Sequence, residues 1–275
     1  MPGHDRPSRP AGRKWSDFGV RLASSAILAP IALAALWYGG PAWQGLIVLI
    51  MLGLAMEWTR LSGLAHGNIA LPVALLTIWA LSIPFGWMAV ALAAGLFILL
   101  TAWRFGWFAA LGIPYIGIGG FSVLWLRLSE TDGPRVTAFL VVVVWTTDIG
   151  AYFCGRLFGG RRLAPRISPG KTWSGSLGGL LLGGLAGALV MSGGRGIDPG
   201  PLLLAVLLSL AAQAGDLLES AIKRRLGVKD SGRTIPGHGG LFDRLDGFLA
   251  AAPTAVVLTF LTHHGLLQSN PIRNG

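Results

Sequence analysis

Charged residues are scarce in this sequence, and cysteine is nearly absent. Asp, Glu, Lys and Arg make up 12% of the 275 residues, about half the share found in soluble domains and too little to cover a water-facing surface of this size. A soluble globular enzyme is therefore excluded. The single cysteine, Cys154, excludes a disulfide framework, and without a neighbouring Cys or His it also excludes a thiolate zinc cluster.

Hydrophobic residues and glycine, in contrast, are abundant. Hydrophobic residues make up 53% of the chain, which excludes intrinsic disorder because disordered chains have low hydrophobicity. The 41 glycines follow no three-residue period, which excludes a collagen-like chain. The class that remains is a polytopic membrane protein.

Apolar runs recur along the chain near the length of about 20 residues that a helix needs to cross a bilayer. They cover residues 20–38, 43–61, 69–84, 85–103, 108–126, 136–153, 175–192, 201–219 and 247–266. Only Ile83-Pro84-Phe85-Gly86 separates the third run from the fourth. The sequence thus predicts an all-α fold, a polytopic membrane helical bundle of about nine transmembrane helices.

The positions of Lys and Arg predict the orientation, because short cytoplasmic loops are enriched in them. With the N-terminus inside, the inner segments hold two basic clusters, at residues 156–171 and 223–244. The outer segments hold only Arg127, Arg135, Arg195 and Arg273. We therefore expect the N-terminus inside and the C-terminus outside. Cytosolic retention and anionic head groups explain the net charge of +10 more simply than nucleic-acid binding does.

Composition also predicts how the chain is divided. Residues 1–17 are rich in Pro, Gly and Arg and are expected to form a disordered cytosolic tail. The other predicted parts are N-terminal transmembrane helices at 18–135, a C-terminal transmembrane region at 136–266 with cytosolic loops 154–173 and 220–246, and a tail at 267–275.

Small residues form a stripe on the seventh predicted span. Gly175, Gly179, Gly183 and Gly187 recur at i, i+4 spacing. Such a stripe lets helix backbones approach closely, either within one bundle or across a dimer. It predicts packing and carries no catalytic meaning.

Four acids lie within the predicted spans, where each costs roughly 2.5 to 3.5 kcal/mol on insertion scales. They are Glu57, Asp148, Asp216 and Glu219. A single acid of this kind is often just hydrated at the interface. All four, however, lie near the predicted cytoplasmic ends of their spans, which favours a functional site for the set.

The eighth span ends in a polar stripe. Gln213, Asp216, Ser220 and Lys223 recur at i, i+3, i+7 and i+10, which places them on one helix face. A carboxylate there can hold a hard cation, and Lys223 and Arg224 just beyond it can hold phosphate oxygens.

The loop that follows contains Pro236-Gly237-His238-Gly239-Gly240, whose glycines let backbone N–H groups approach an anion. Asp243 and Asp246 come next at i, i+3 spacing. Together with Asp216 they could converge on Mg²⁺, which usually takes one or two carboxylates plus substrate phosphates. For His238 we expect a loop-ordering or phosphate-contacting role, because it has no second His or Cys near it and no orienting acid.

A second loop contains Ser168-Pro169-Gly170-Lys171-Thr172-Trp173. Two hydroxyls flank a lysine beside a Pro-Gly turn, an arrangement that could grip a phosphate chain. It is not a P-loop, because the GxxxxGK[ST] spacing is absent. For Arg161 and Arg162 we favour ordinary positive-inside topology.

These motifs resemble the signature of the phosphatidate cytidylyltransferases, also called CDP-diacylglycerol synthases. The resemblance covers about residues 148–246, including Thr147-Asp148 and Gly215-Asp216; the first half matches only in hydropathy and in Glu57-Trp58. One departure is Ser174, where the family is expected to have Glu or Gln.

The resemblance implies that phosphatidate and CTP give CDP-diacylglycerol and pyrophosphate, with Mg²⁺ as cofactor. It implies metal ligation by Asp216, Asp243 and Asp246, and catalytic roles for Asp148, Lys171 and Asp246. The implied substrate-binding residues are Ser168, Lys171, Thr172, Ser220, Lys223, Arg224, Lys229, Asp230, His238 and Gly239. It further implies a homodimer in the plasma (inner) membrane, with CTP reaching the active site from the cytoplasm.

Two alternatives stay open. One is a related CTP-dependent membrane enzyme, either a polyprenol kinase or a cytidylyltransferase acting on an ether lipid. The other is a small transporter, which can also bury acids in a helical bundle. Against a transporter, the sequence has no internal repeat, and its polar residues cluster at one membrane face instead of the midplane.

Overall fold

The computed structural model describes residues 26–65, 67–128, 132–232, 234 and 239–263. The predicted tails at 1–17 and 267–275 and the predicted substrate-binding residue His238 lie outside these residues. The described chain is almost entirely helical, because inside a bilayer a helix satisfies its own backbone hydrogen bonds. The helices are α1 Ala26–Tyr38, α2 Gly40–Leu61, α3 Ala70–Phe105, α4 Trp107–Ala110, α5 Gly112–Leu128, α6 Gly133–Phe158, α7 Trp173–Ser192, α8 Pro199–Arg225 and α9 Phe242–His263.

Within the described residues, 7 helical segments are long and apolar enough to cross a membrane. They are Gly40–Leu61, Met88–Phe105, Trp107–Leu128, Gly133–Phe158, Trp173–Ser192, Pro199–Arg225 and Phe242–Thr262. Two shorter apolar helices, Ala26–Tyr38 and Ala70–Ser82, lie in the first and third predicted spans. The protein is therefore a multi-pass, predominantly helical membrane protein.

The break between the third and fourth predicted spans lies at Gly86, inside α3. Its φ of 71° and ψ of −168° are not helical, so α3 consists of two helices joined at a kink. Glycine suits this position because it has no Cβ to oppose a positive φ.

Within the part of the chain that the structure describes, the buried apolar residues form two clusters. The first joins α2, α3 and α5 to the start of α9, with Trp58, Leu71, Ile116 and Phe242 all buried. The second joins α6, α8 and α9. Helices α2, α3 and α5 thus pack directly against the first residues of α9.

The glycine stripe of α7 packs against α6 within the bundle. A Cβ at Gly175 would lie 2.7 Å from the carbonyl oxygen of Ala151, and one at Gly179 would lie 2.8 Å from that of Thr147. The predicted role in close helix packing is therefore confirmed. Since the stripe faces α6, it is not a free surface for a dimer.

Helices α8 and α9 also approach closely, at Gly215. A Cβ there would lie 2.6 Å from the carbonyl oxygen of Asp246 and 2.7 Å from the Cβ of Ala250. This close packing brings the C-terminal part of α8 and the N-terminal part of α9 together.

Between α6 and α7 the chain forms an antiparallel hairpin of β1 Arg162–Ala164 and β2 Ser168–Thr172. Its register pairs Arg162 with Thr172, and the backbone N–H of Trp173 donates to the carbonyl of Arg161 at 3.0 Å. Hydropathy did not predict this hairpin. The helices beside it are also longer than the predicted spans: α6 continues to Phe158, α8 continues to Arg225, and α9 begins at Phe242.

Candidate active site

A polar pocket of about 650 Å³ lies where the hairpin meets the ends of α6, α7, α8 and α9. Its acidic lining residues are Asp148, Asp216, Asp243 and Asp246, and its basic lining residues are Arg156, Arg162, Lys171 and Arg244. The structure thus brings residues from both predicted loops to one pocket.

Three carboxylates form a tight group at this pocket. Oxygens of Asp216, Glu219 and Asp246 all lie within 4.8 Å of one another. The side chain of Glu219 is only 3% exposed, and its Oε1 has no hydrogen-bond partner among the described residues. A buried, unpaired carboxylate oxygen is costly unless a cation or donor satisfies it.

Helix geometry explains how the three acids meet. Asp216 and Glu219 lie three residues apart, on one face of α8. Gly215 lets α9 approach that face until its backbone at Asp246 lies against α8. The group therefore fits a small divalent cation, whose oxygen ligands lie about 2.1 Å from the metal.

Lys171 pairs with Asp216 across the pocket. Lys171 is the fourth residue of β2, and its Nζ forms an ion pair with Oδ2 of Asp216. Both side chains remain partly exposed, at 26% and 35%. The hairpin therefore places a positive charge against the acid group.

Lys223 occupies the centre of a second set of ion pairs. Its Nζ lies 2.7 Å from Oε2 of Glu219 and 2.7 Å from Oδ1 of Asp243. Asp243 also accepts hydrogen bonds from the backbone N–H groups of Ser231 and Gly240, at 3.1 and 3.0 Å to Oδ2. Asp243 thus lies outside the group of three acids, and its predicted role as a metal ligand stays a prediction.

The remaining predicted residues occupy varied positions. Asp148 is exposed and lines the pocket. Thr172 also lines it, but its hydroxyl caps α7 by accepting from the backbone N–H of Gly175 at 3.1 Å. Arg224 donates through Nε to the carbonyl of Ile167 at 3.1 Å, which ties the hairpin to α8.

Five other predicted substrate-binding residues flank the pocket or lie beyond it. Ser168 begins β2, and Ser220 is half-buried on α8. Lys229 and Asp230 are exposed in the loop between α8 and α9. A Cβ at Gly239 would lie 3.3 Å from Oδ2 of Asp243. Their substrate-binding roles stay predictions.

Two acids proved more important to this geometry than their sequence positions indicated. Glu219 belongs to the carboxylate group, and its i, i+3 spacing from Asp216 was the available signal. Glu57 of α2 is completely buried and accepts hydrogen bonds from residues of the loop between α8 and α9. Simple hydration at the membrane interface is excluded for both, because neither is exposed.

Comparison with known proteins gives consistent matches along nearly the whole chain. The sequence profile described as the cytidylyltransferase family matches residues 19–262. A phosphatidate cytidylyltransferase of Brucella suis biovar 1 is 42% identical over 255 residues, which cover 86% of this chain and 91% of that protein. A phosphatidate cytidylyltransferase of Staphylococcus epidermidis is 41% identical over 158 residues, covering 56% of this chain and 59% of that protein.

Proposed function

This chain belongs to the cytidylyltransferase family, and from that membership we propose that it makes CDP-diacylglycerol and pyrophosphate from CTP and phosphatidate. The product would supply phospholipid synthesis. The phosphatidate cytidylyltransferase of Brucella suis, similar over most of both chains, supports this choice of substrates.

One structural observation supports the proposal independently of family membership. Acids from α6, α8 and α9 and four basic residues line a single polar pocket at one end of the helix bundle. A triphosphate needs cations around it, and a metal that bridges it needs carboxylates. Both requirements are met within one pocket that adjoins the membrane-spanning helices.

We assign the cofactor Mg²⁺ to Asp216, Glu219 and Asp246, whose oxygens are mutually close and include one buried oxygen that accepts no hydrogen bond from the described residues. Bound there, Mg²⁺ would neutralise triphosphate charge and orient the phosphates. Asp243 would join as a ligand only by exchanging its ion pair with Lys223.

The proposed reaction depends mainly on how the two substrates are positioned. An oxygen of the phosphatidate phosphate attacks the α-phosphorus of CTP; the new P–O bond forms as the bond to the bridging oxygen breaks, and pyrophosphate leaves in line. That phosphate is already ionised near neutral pH. No strong general base is needed, so the protein contributes orientation and charge neutralisation.

Lys171 has the clearest role among the basic residues. It lies on the hairpin opposite the acid group and is paired with Asp216. When a cation and CTP bind, Lys171 would transfer its contact from Asp216 to a phosphate oxygen. Asp148, exposed on the pocket wall, would orient a cation.

Other basic residues would complete the phosphate site. Arg156, Arg162 and Arg244 line the same pocket. Of the residues named from the sequence, we retain Ser168, Thr172, Ser220, Lys223, Arg224, Lys229, Asp230, His238 and Gly239 as proposed substrate contacts. Lys223 would act there in part through its ion pairs with Glu219 and Asp243.

The membrane placement follows from the basic residues. We propose nine transmembrane helices with the N-terminus inside, the C-terminus outside and the pocket open to the cytoplasm, in the plasma membrane. The two shorter apolar helices, Ala26–Tyr38 and Ala70–Ser82, would complete this count. A homodimer stays a proposal.

The alternatives differ in which phosphorus reaches the lipid. A cytidylyltransferase, with either an acyl or an ether lipid, transfers the α-phosphorus of CTP, whereas a polyprenol kinase transfers the γ-phosphorus. A transporter transfers neither. The acids lie at one end of the bundle, in one polar pocket that is also lined by four basic residues, and this position favours an enzyme over a transporter.

The test uses purified full-length protein in detergent with phosphatidate and Mg²⁺. CTP labelled at the α-phosphorus and CTP labelled at the γ-phosphorus are supplied in parallel, and lipid is extracted. We expect label in lipid from the α-labelled nucleotide alone. A polyprenol kinase would give label in lipid from the γ position only when a polyprenol replaces phosphatidate, and no label in lipid with phosphatidate would contradict the proposed reaction.

A further inference from the structure

Glu57 is far from the motifs in sequence, yet it is bound to the loop that leads into them. We propose that Glu57 is a positioning residue that holds the loop between α8 and α9 in the conformation that binds CTP. The inference rests on the proposed function and extends it to a residue in the N-terminal half.

The Glu57 carboxylate is fully buried, and each of its two oxygens accepts two hydrogen bonds. Its Oε1 accepts from the backbone N–H of Leu241 at 2.8 Å and from the hydroxyl of Thr234. Its Oε2 accepts from the backbone N–H of Phe242 at 2.8 Å and from the hydroxyl of Ser231 at 3.1 Å. Four donors therefore converge on one side chain that is 0% exposed.

Two of these donors belong to the beginning of α9. The first N–H groups of a helix have no partner inside the helix, and its N-terminus favours a negative charge. Glu57 supplies both an acceptor and that charge from a different helix, α2. It thereby fixes where α9 begins, and with it the positions of Asp243 and Asp246.

The other two donors belong to the loop itself. The described backbone near Gly232 and Gly240 lies against the carboxylate: a Cβ at Gly232 would lie 2.8 Å from Oε1 of Glu57, and a Cβ at Gly240 would lie 2.9 Å from Oε2. Side chains at these two positions would displace Glu57 or the loop. The described residues on both sides of this loop are therefore packed against this one acid.

Ser231 connects Glu57 to the charged pocket. Its hydroxyl donates to Glu57 while its backbone N–H donates to Asp243. Asp243 in turn pairs with Lys223, which pairs with Glu219 of the carboxylate group. A hydrogen-bonded chain thus runs from α2 through the loop to the proposed metal site.

The substitution Glu57→Gln distinguishes a positioning role of the carboxylate from simple packing of the side chain. It has nearly the same shape, but one carboxylate oxygen becomes an NH₂ group that can only donate. Hydroxyls can turn to accept from it, whereas a backbone N–H cannot. Either orientation of the amide therefore leaves the N–H of Leu241 or Phe242 facing a donor.

The second variant reaches the same contact from the loop. Gly232→Ala has no positive φ to oppose it, and its new Cβ would press on the Glu57 carboxylate. The matched controls are Thr59→Val and Gly200→Ala. Thr59 is buried two residues from Glu57, and its hydroxyl donates to the carbonyl of Ala55 in its own helix at 2.7 Å. A Cβ at Gly200 would meet no atom of the described residues within 4 Å.

The experiment measures two properties of the full-length protein in detergent. The first is the apparent KM for CTP and for phosphatidate, from transfer of α-labelled CTP into lipid. The second is deuterium uptake by peptides covering residues 231–242, which reports directly on the amides that Glu57 binds. Size-exclusion chromatography verifies that each variant is folded.

We expect Glu57→Gln and Gly232→Ala to raise the KM for CTP by about tenfold, the factor expected when the binding-competent loop falls to about a tenth of the population. Deuterium uptake in 231–242 should accelerate by a similar factor. The KM for phosphatidate and both control variants should match the wild type.

Three results would overturn the proposal. The first is an unchanged KM for CTP with unchanged uptake in Glu57→Gln. The second is an equal rise in the KM values for CTP and phosphatidate, and the third is loss of folded protein in both test variants, which would make Glu57 a residue of fold stability alone. If the wild type transfers no label, the reaction fails while deuterium uptake still decides whether Glu57 orders the loop.

Discussion

At the scale of single residues, the candidate active site contains oppositely charged side chains that lie close together and are at least partly buried. Lys171 pairs with Asp216, and Lys223 pairs with both Glu219 and Asp243. Removing one partner of such a pair leaves the other uncompensated, and this cost usually exceeds the net stabilisation that the intact pair provides. The effect of a substitution therefore depends on which charge it leaves behind.

Lys171→Gln should change the response to Mg²⁺ and to CTP in opposite directions. Without its lysine, Asp216 has more negative charge available for a cation, so half-saturation should occur at a lower Mg²⁺ concentration. The KM for CTP should rise, because a cation near the triphosphate is lost. Both values come from titrating transfer of α-labelled CTP into lipid.

The control for Lys171 is Arg166→Gln, which neutralises an exposed arginine in the same hairpin connection. It should leave both titrations unchanged. If Lys171→Gln instead required more Mg²⁺, Lys171 would be supporting the metal site and not competing for Asp216.

Glu219→Gln tests the acid that the sequence motif alone did not select. Its buried Oε1 is unpaired among the described residues, which leaves it available for a cation. We expect the Mg²⁺ concentration for half-maximal transfer to rise by at least roughly 10- to 100-fold, because losing even an outer-shell partner of a metal ligand has an effect of that size. Asp198→Asn, an exposed acid just before the other end of α8, is the control. An unchanged Mg²⁺ titration would exclude Glu219 as a ligand.

At the scale of elements, the decisive contact is the one between α8 and α9. Each helix carries two of the acids discussed above, and Gly215 allows the backbones to touch beside them. The hairpin then adds Lys171 from a third direction. The site therefore depends on how closely two helices pack as well as on which residues they carry.

Gly215→Ala should weaken the metal site without removing any ligand. The new Cβ would lie 2.6 Å from the backbone oxygen of Asp246, too close for α9 to stay where it is. A shift of about 1 Å should lower the rate of transfer by about 100-fold. Gly200→Ala, on the same helix and in open space, should retain the wild-type rate. Wild-type activity in Gly215→Ala would contradict the importance of this contact.

Hydropathy predicted a multi-pass helical protein, because a bilayer imposes a length and an apolar character that are visible in the sequence. Seven of the nine predicted spans contain a described helix that is long and apolar enough to cross a membrane. It could not predict that α8 continues to Arg225 or that α9 begins at Phe242, since these turns lie among polar residues. The hairpin was missed for a related reason: its pairing of Arg162 with Thr172 depends on tertiary position and not on a run of strand-forming residues.

The motif residues Asp216, Asp246 and Lys171 were selected from the sequence, and the structure places them in one pocket. The contact of Glu57 with the loop between α8 and α9 spans 185 positions of the chain at Phe242, and no local pattern encodes such a contact. The sequence indicated only that Glu57 lies inside a predicted transmembrane span, where an acid is costly.

At the scale of the whole molecule, the basic residues determine the proposed orientation. The pocket and both basic clusters lie at one end of the bundle in the proposed topology, whereas Arg195 lies in the connection between α7 and α8 at the other end. A cytoplasmic pocket is required if CTP is to reach it from the cell interior. Orientation is therefore part of the proposed function.

Single cysteines in a Cys154→Ala background can test the orientation in intact cells. A membrane-impermeant maleimide should label Arg195→Cys and should label Lys229→Cys only after the cells are opened. Both positions are exposed, so access depends on the side of the membrane alone. The reverse pattern would place the pocket outside the cell and contradict the topology.

The most direct test of the proposed active site is the rate at which α-labelled CTP transfers its label to phosphatidate. This rate is measured for the wild type, Asp246→Asn and Asp198→Asn, each with and without Mg²⁺. Asp246 lies in the group of three acids, whereas Asp198 is an exposed acid at the far end of α8. We predict Mg²⁺-dependent transfer by the wild type and Asp198→Asn, and a loss of at least about 100-fold in Asp246→Asn. Mg²⁺-dependent transfer at the wild-type rate by folded Asp246→Asn would contradict the assignment of the reaction to this pocket.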